Sequence, residues 1–129
     1  MELDGVINIL IGSTFGLILR MFINNISGRQ KVFSSNNILK VNVLASLFLG
    51  IFVGLDIKNK NLILFFLVGF LGCLSTFSSF IYQLFNLIQK RKYLKLFLYY
   101  VQVLVLSCIF FCLGFFITLI CIKWIKSIY

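Results

Sequence analysis

Gly69-Phe-Leu-Gly-Cys-Leu-Ser-Thr-Phe-Ser-Ser-Phe80 lies inside the third of four hydrophobic segments and is the least lipid-like part of them. Its twelve positions hold two glycines, four hydroxyl side chains and three phenylalanines. A plain membrane anchor has no use for those hydroxyls. A helix broken at membrane depth and lining an ion path uses all of them, because irregular backbone is tolerated there only when something other than lipid satisfies it. The stretch therefore predicts an all-α membrane protein with four transmembrane helices, the third of them broken.

Working outward, the rest of the chain is as apolar as that prediction demands. It has 129 residues, 61% of them hydrophobic, and no proline. Its mean hydropathy is +1.09. No soluble domain of this size keeps so apolar a surface in water. The apolar segments span roughly 5–24, 38–55, 62–89 and 94–122, each near or above the ~20 residues that cross a bilayer as a helix. The last two exceed that length and have room to tilt or to extend past the lipid. Residues 1–129 form a single four-helix membrane domain. The first segment begins with Glu2 and Asp4 rather than with basic residues, and no small-residue cleavage site follows Ile26, so it reads as a retained helix. Cys73, Cys108, Cys112 and Cys121 all fall within spans, with no histidine or acid beside them, and read as small polarizable core residues.

The net charge of +9 resides mostly between and beyond the spans, where it meets anionic lipid headgroups. Nucleic acid is a poor partner for basic residues split among short loops. One side carries Lys58, Lys60, Lys123 and Lys126; the other carries Arg29, Lys31, Lys40, Lys90, Arg91, Lys92 and Lys95. The positive-inside rule leans toward external termini. The bias is small enough for the chain to insert either way, or to take its orientation from a partner.

The missing residues narrow the chemistry. There is no histidine, and the only acids, Glu2, Asp4 and Asp56, lie near segment ends. No span carries a carboxylate or imidazole to relay protons or to bind a cation by side-chain charge. That disfavours a small four-helix multidrug exporter, which relies on an acid within its first helix, and it disfavours most membrane enzymes. What remains is cationic or hydrogen-bond donating. Asn8, Gly12, Gly16 and Arg20 recur every four residues on one helix face, and Gly12-x-x-x-Gly16 permits close helix approach. Arg20 reads either as a snorkelling residue or as a structural or vestibule residue. Asn42 and Ser46 share a face of the second span, as interhelical glue or as pore-facing donors. Tyr99 and Ser107 lie two turns apart on the fourth, with Tyr100 and Gln102 nearby. In the opening stretch, Phe77 and Phe80 share a face, and their electropositive ring edges suit an anion. Unwinding near Gly72 and Ser75 would free carbonyl oxygens for water, a neighbouring side chain or a small hard cation such as sodium.

Three ordered motifs in this four-span layout resemble the Fluc/CrcB family of fluoride channels over nearly the whole chain. They are Gly12-x3-Gly16-x3-Arg20, Val41-Asn42 followed by Gly50, and the Gly69 to Phe80 stretch. The resemblance implies an antiparallel, dual-topology dimer with fluoride pathways at its interface. It also implies a structural, untransported sodium ion held by the backbone carbonyls of Gly72 and Ser75 from both subunits. Asn42, Phe77, Phe80, Ser79, Gln83, Tyr99 and Ser107 would line the fluoride path, with Arg20 near its mouth. Ile38, Cys73, Ser75, Gln83 and Val103 depart from the family's usual residues. The loss of hydroxyls at Ile38 and Val103 raises the expectation of a heterodimer whose partner supplies a more complete path.

The function so implied is passive export of fluoride across the bacterial plasma membrane by a multi-pass channel that is not an enzyme. The partners are fluoride, the lipid bilayer, and a second copy of the chain or a homologous subunit. A multidrug exporter and a non-conducting subunit of a heterodimeric complex are the alternatives.

Overall fold

The computed structural model describes residues 2–26, 35–75 and 77–128. Long apolar sequence without proline winds into helix because, in lipid, the backbone must satisfy itself. The first two segments form α1 (Glu2–Ile26) and α2 (Ser35–Gly54). The third is wound in pieces: α3 (Lys60–Ile63), a π-helical segment (Leu64–Leu71), α4 (Gly72–Leu74) and α5 (Phe77–Gln89). The fourth is one long helix, α6 (Tyr93–Ile128). Every element among the described residues is helical. Four stretches are long and apolar enough to cross a membrane: Leu3–Asn25, Asn36–Gly54, Lys60–Gln89 and Tyr93–Ile128.

The last span outruns its apolar segment. Its 36 residues reach roughly 54 Å at ~1.5 Å per residue, against about 30 Å of hydrocarbon. Counting apolar residues stops at Ile122, whereas Lys123, Trp124 and Lys126 carry the helix onward with side chains suited to the lipid–water boundary.

The connections show local chemistry at work. Asn59 caps α3 by accepting a hydrogen bond from the Asn61 amide at 3.0 Å. Two residues past the end of α5 stands Arg91, a non-glycine residue with φ of 52°. The Lys92 amide donates back to the Leu87 carbonyl at 3.0 Å and the Arg91 amide to the Ile88 carbonyl at 2.8 Å, the paired bonds of a Schellman motif. Those two bonds offset the ~1–2 kcal/mol that left-handed backbone costs an L-residue.

Neighbours in sequence are not the main neighbours in space. α1 packs along the π-helical segment, and α2 packs along α6. In each pair rising residue numbers meet rising residue numbers: Gly12 meets Phe65 and Gly16 meets Phe70, while Gly50 meets Phe111 and Gly54 meets Thr118. Both pairs are therefore parallel. Each is closed by glycines from both helices. A methyl group at Gly12 would strike the Phe65 carbonyl oxygen, and one at Gly16 the Phe70 carbonyl oxygen. One at Gly69 would lie 2.6 Å from the Ile9 carbonyl oxygen. The second pair repeats the device with Gly50 against Phe111 and Gly114 against Leu47. Where the hydrophobic effect does not drive association, such small-residue contacts let dispersion hold helices together.

Two small clusters join the pairs. Val41, Ala45, Leu71 and Leu74 form one, with Phe48 and Phe70 against it; Ile38, Phe80 and Val103 form the other. An aromatic ladder adds to them, with Phe48 edge-on to Phe70 at 5.8 Å and Phe52 stacked on Phe66 at 5.8 Å.

Candidate functional site

The third span positions the site. The Gly72 amide donates to the Gly69 carbonyl, and the Ser75 amide to the Leu71 carbonyl at 3.0 Å. Ser75 itself is extended, with φ of −69° and ψ of 149°, and α5 starts at Phe77.

This part of the span faces an open groove of about 560 Å³. Its polar lining comes from Asn42 and Ser46 of α2, Ser75, and Ser107 of α6, together with Gly72. Its apolar lining includes Phe77, Phe80, Val103 and Leu104. The two phenylalanines differ. Phe80 is 8% exposed and Phe77 is 73% exposed. Phe80 is held by tyrosines of α6: Tyr100 stacks on it at 6.2 Å, and Tyr99 lies tilted at 5.8 Å.

The structure brings together six of the residues singled out from sequence, Asn42, Gly72, Ser75, Phe77, Phe80 and Ser107, on this one groove. It leaves four outside the groove's lining. Ser79 is buried beside Phe80. Gln83 and Tyr99 are half-buried further along their helices, and Arg20 is half-buried on α1, one turn past Gly16.

Three polar or lining residues carried less weight in the sequence than they do in space. Ser46 lines the groove and donates its hydroxyl proton to the Asn42 carbonyl at 3.0 Å; its four-residue spacing from Asn42 was the visible signal. Asn37 is 4% exposed, yet in a first helical turn it looks like an ordinary terminal residue. Thr118 is buried against Gly54, its hydroxyl donating to the Gly114 carbonyl at 2.9 Å, and nothing in the local pattern announced that.

Among its described lining residues the groove offers hydroxyl and amide groups beside two phenylalanine rings, and no ionisable side chain.

Known proteins resemble this chain over most of its length. Residues 7–115 match the model of the CrcB-like protein, Camphor Resistance (CrcB) family. A fluoride-specific ion channel, FluC 2, of Prochlorococcus marinus subsp. pastoris is 75% identical over 119 residues, covering 92% of this chain and 97% of the relative. A second Prochlorococcus marinus strain has a FluC 2 that is 51% identical, covering 91% of this chain and 96% of the relative. A fluoride-specific ion channel FluC of Pyrococcus furiosus is 39% identical, covering 73% of this chain and 79% of the relative. The chain is a multi-pass membrane protein that belongs to the CrcB family, a family of ion channels and not of enzymes.

Proposed function

We propose that this protein is a fluoride-specific channel that lets fluoride leave the cell passively through the groove beside the third span. The observation that carries the proposal is the convergence of Asn42, Ser75, Phe77, Phe80 and Ser107 on one acid-free groove, in a chain whose relatives are named fluoride-specific ion channels.

Fluoride is small and holds its water tightly, so a path for it must supply replacement donors in steps. The Asn42 amide and the Ser107 hydroxyl provide two. The first-turn amides of α5 add the positive end of a 13-residue helix. Tyr100 covers one face of Phe80, and a ring held by its face has its electropositive edge left to offer. Several weak sites in series allow exit as well as entry. Chloride, being larger, fits a narrow donor-lined track poorly. Undissociated hydrogen fluoride enters a cell and ionises there, and a negative interior drives the anion out, so no coupled energy source is needed.

The third span, in this proposal, is a helix broken at Ser75, and the groove is one half of a path. Phe77, Ser75 and Gly72 are exposed in the single chain, and nothing lies within 4 Å of where a Gly72 side chain would begin. An antiparallel second copy, or a homologous subunit, covers that face. Ser79 adjoins Phe80 on the track, Gln83 and Tyr99 extend it past Phe80, and Arg20 stands near its mouth. A structural sodium ion fits the carbonyl end of the run 60–74, where the Gly72 and Ser75 carbonyls of both subunits would hold it and Gly72 leaves room for its approach. Bound there, the ion supplies fixed positive charge that locks two carbonyl ends together.

The test is fluoride efflux from liposomes holding this chain alone, with chloride as control and with sodium present or replaced. Fast fluoride loss, no chloride loss and dependence on sodium are expected. No fluoride loss from the chain alone, restored by a homologous subunit, would assign it to a heterodimer. Uptake of cationic dyes without fluoride loss would instead favour an exporter.

A further inference from the structure

Toward one end the groove's lining turns apolar with Phe80 and Val103, which pack with the buried Ile38. One turn before Asn42 on α2 is Ile38, and one turn before Ser107 on α6 is Val103. Residues four apart share a helix face, and α2 and α6 run parallel, so both donors give way to branched hydrocarbon at the same height. Phe80 of α5 meets them there. Ile38, Phe80 and Val103 form one buried cluster, 4%, 8% and 6% exposed. One turn further on, polar groups return with Tyr99, which packs against Phe80. Beyond them lies the end of the bundle carrying Lys40, Lys90, Arg91, Lys92 and Lys95, while the acids Glu2, Asp4 and Asp56 lie at the other end.

We infer that Ile38, Val103 and Phe80 form an apolar collar, about one helical turn deep, that sets the rate at which fluoride passes between the Asn42/Ser107 donors and the basic end. The inference rests on the proposed fluoride path and names the residues that limit it. An anion crossing the collar leaves donors on one side before reaching those on the other. Burial of an anion without hydrogen bonds is strongly unfavourable, and narrow hydrophobic constrictions act as barriers by losing water. Ile38 and Val103 carry no hydrogen-bond donor in any rotamer, so the Phe80 ring edge is the one favourable contact that the three side chains of the collar offer an anion.

A hydroxyl placed in the collar has a ready parking position. Ser13, Thr14, Ser46 and Thr118 all donate to the carbonyl four residues earlier, at 2.7 to 3.0 Å. A threonine at 103 would use the Tyr99 carbonyl in the same way and turn its proton toward a passing anion. Val103→Thr keeps the shape of valine, so the fold should persist.

The experiment measures fluoride and chloride efflux from liposomes for wild type, Val103→Thr, Ile38→Thr and Val103→Ile, with thermal melts of each. Both threonine variants are expected to pass fluoride about tenfold faster, the equivalent of one modest hydrogen bond gained in the barrier. Val103→Ile should be slower, chloride should stay excluded, and the melts should stay close to wild type. A silent wild type with conducting threonine variants would equally uphold the collar. Conducting wild type with unchanged rates in folded Val103→Thr and Ile38→Thr overturns the collar and leaves the fluoride path standing. Absence of fluoride loss from wild type and every folded variant, both alone and with a homologous subunit, overturns the path itself, and the collar with it.

Discussion

Gly69 and Gly72 are three residues apart in the same span, and their surroundings are opposite. Gly69 is buried, and a side chain there would meet the Ile9 carbonyl oxygen of α1 at 2.6 Å. Gly72 is exposed, with nothing within 4 Å of its missing side chain. The same contrast holds on a larger scale. The seams between α1 and the π-helical segment and between α2 and α6 are closed by glycines set against backbone, whereas the groove from Gly72 to Phe77 is open. One glycine is explained by the chain's own packing. The other is left open by the chain's own packing, and it is the face that the proposed second copy would cover.

That contrast breaks or sharpens under substitution. The largest effect is expected at the closed seams. Gly50→Ala would drive a methyl group into the Phe111 carbonyl oxygen, and overpacking of that kind costs ~3 kcal/mol; thermal unfolding in detergent should show it as a large fall in melting temperature. Gly72→Ala should leave the melt of the single chain almost unchanged, since no neighbour is struck and alanine is the better helix former. Its effect should fall on transport: a methyl group in each of two facing copies, at ~1.4 kcal/mol apiece, slows fluoride efflux about a hundredfold. Equal melting losses for Gly50→Ala and Gly72→Ala would erase the distinction between seam and groove.

Smaller effects distinguish residues within the groove. Asn42→Ala removes a side-chain donor and should slow efflux about tenfold, the scale of one hydrogen bond to an ion. Ser46 lines the same groove, in which Asn42 and Ser107 already supply donors. Ser46→Ala should therefore alter efflux less than about twofold, within the range of a surface substitution. A large loss at Ser46 with none at Asn42 would reverse the order of donors along the track.

Much of this was legible before the structure, for physical reasons. Membrane spans announce themselves by apolar length alone, and the room for the last span to run past the lipid is taken up where Lys123 and Trp124 extend α6. Asn42 and Ser107 meet Ser75, Phe77 and Phe80 because each sits on a helix face that spacing reveals. Pairing was not legible. Gly12 and Gly16 advertise a close contact, but nothing local says that the partner is the Phe65 to Phe70 backbone rather than α2. Winding of residues 64–71 as a π-helix also has no local signature, since an unbroken apolar run satisfies either winding. Nor does the buried state of Ile38 and Val103 follow from their identity, because branched aliphatics serve equally well against lipid.

The central claim is that the open face of the third span carries fluoride. Phe77 tests it most directly, because 73% exposure makes the side chain nearly irrelevant to the packing of its own chain. The measurement is fluoride efflux from liposomes containing wild type or Phe77→Ile, each checked for the same assembly size before reconstitution. The predicted result is rapid, chloride-free fluoride loss for wild type and none for Phe77→Ile at equal assembly. Unchanged efflux in Phe77→Ile would contradict the account.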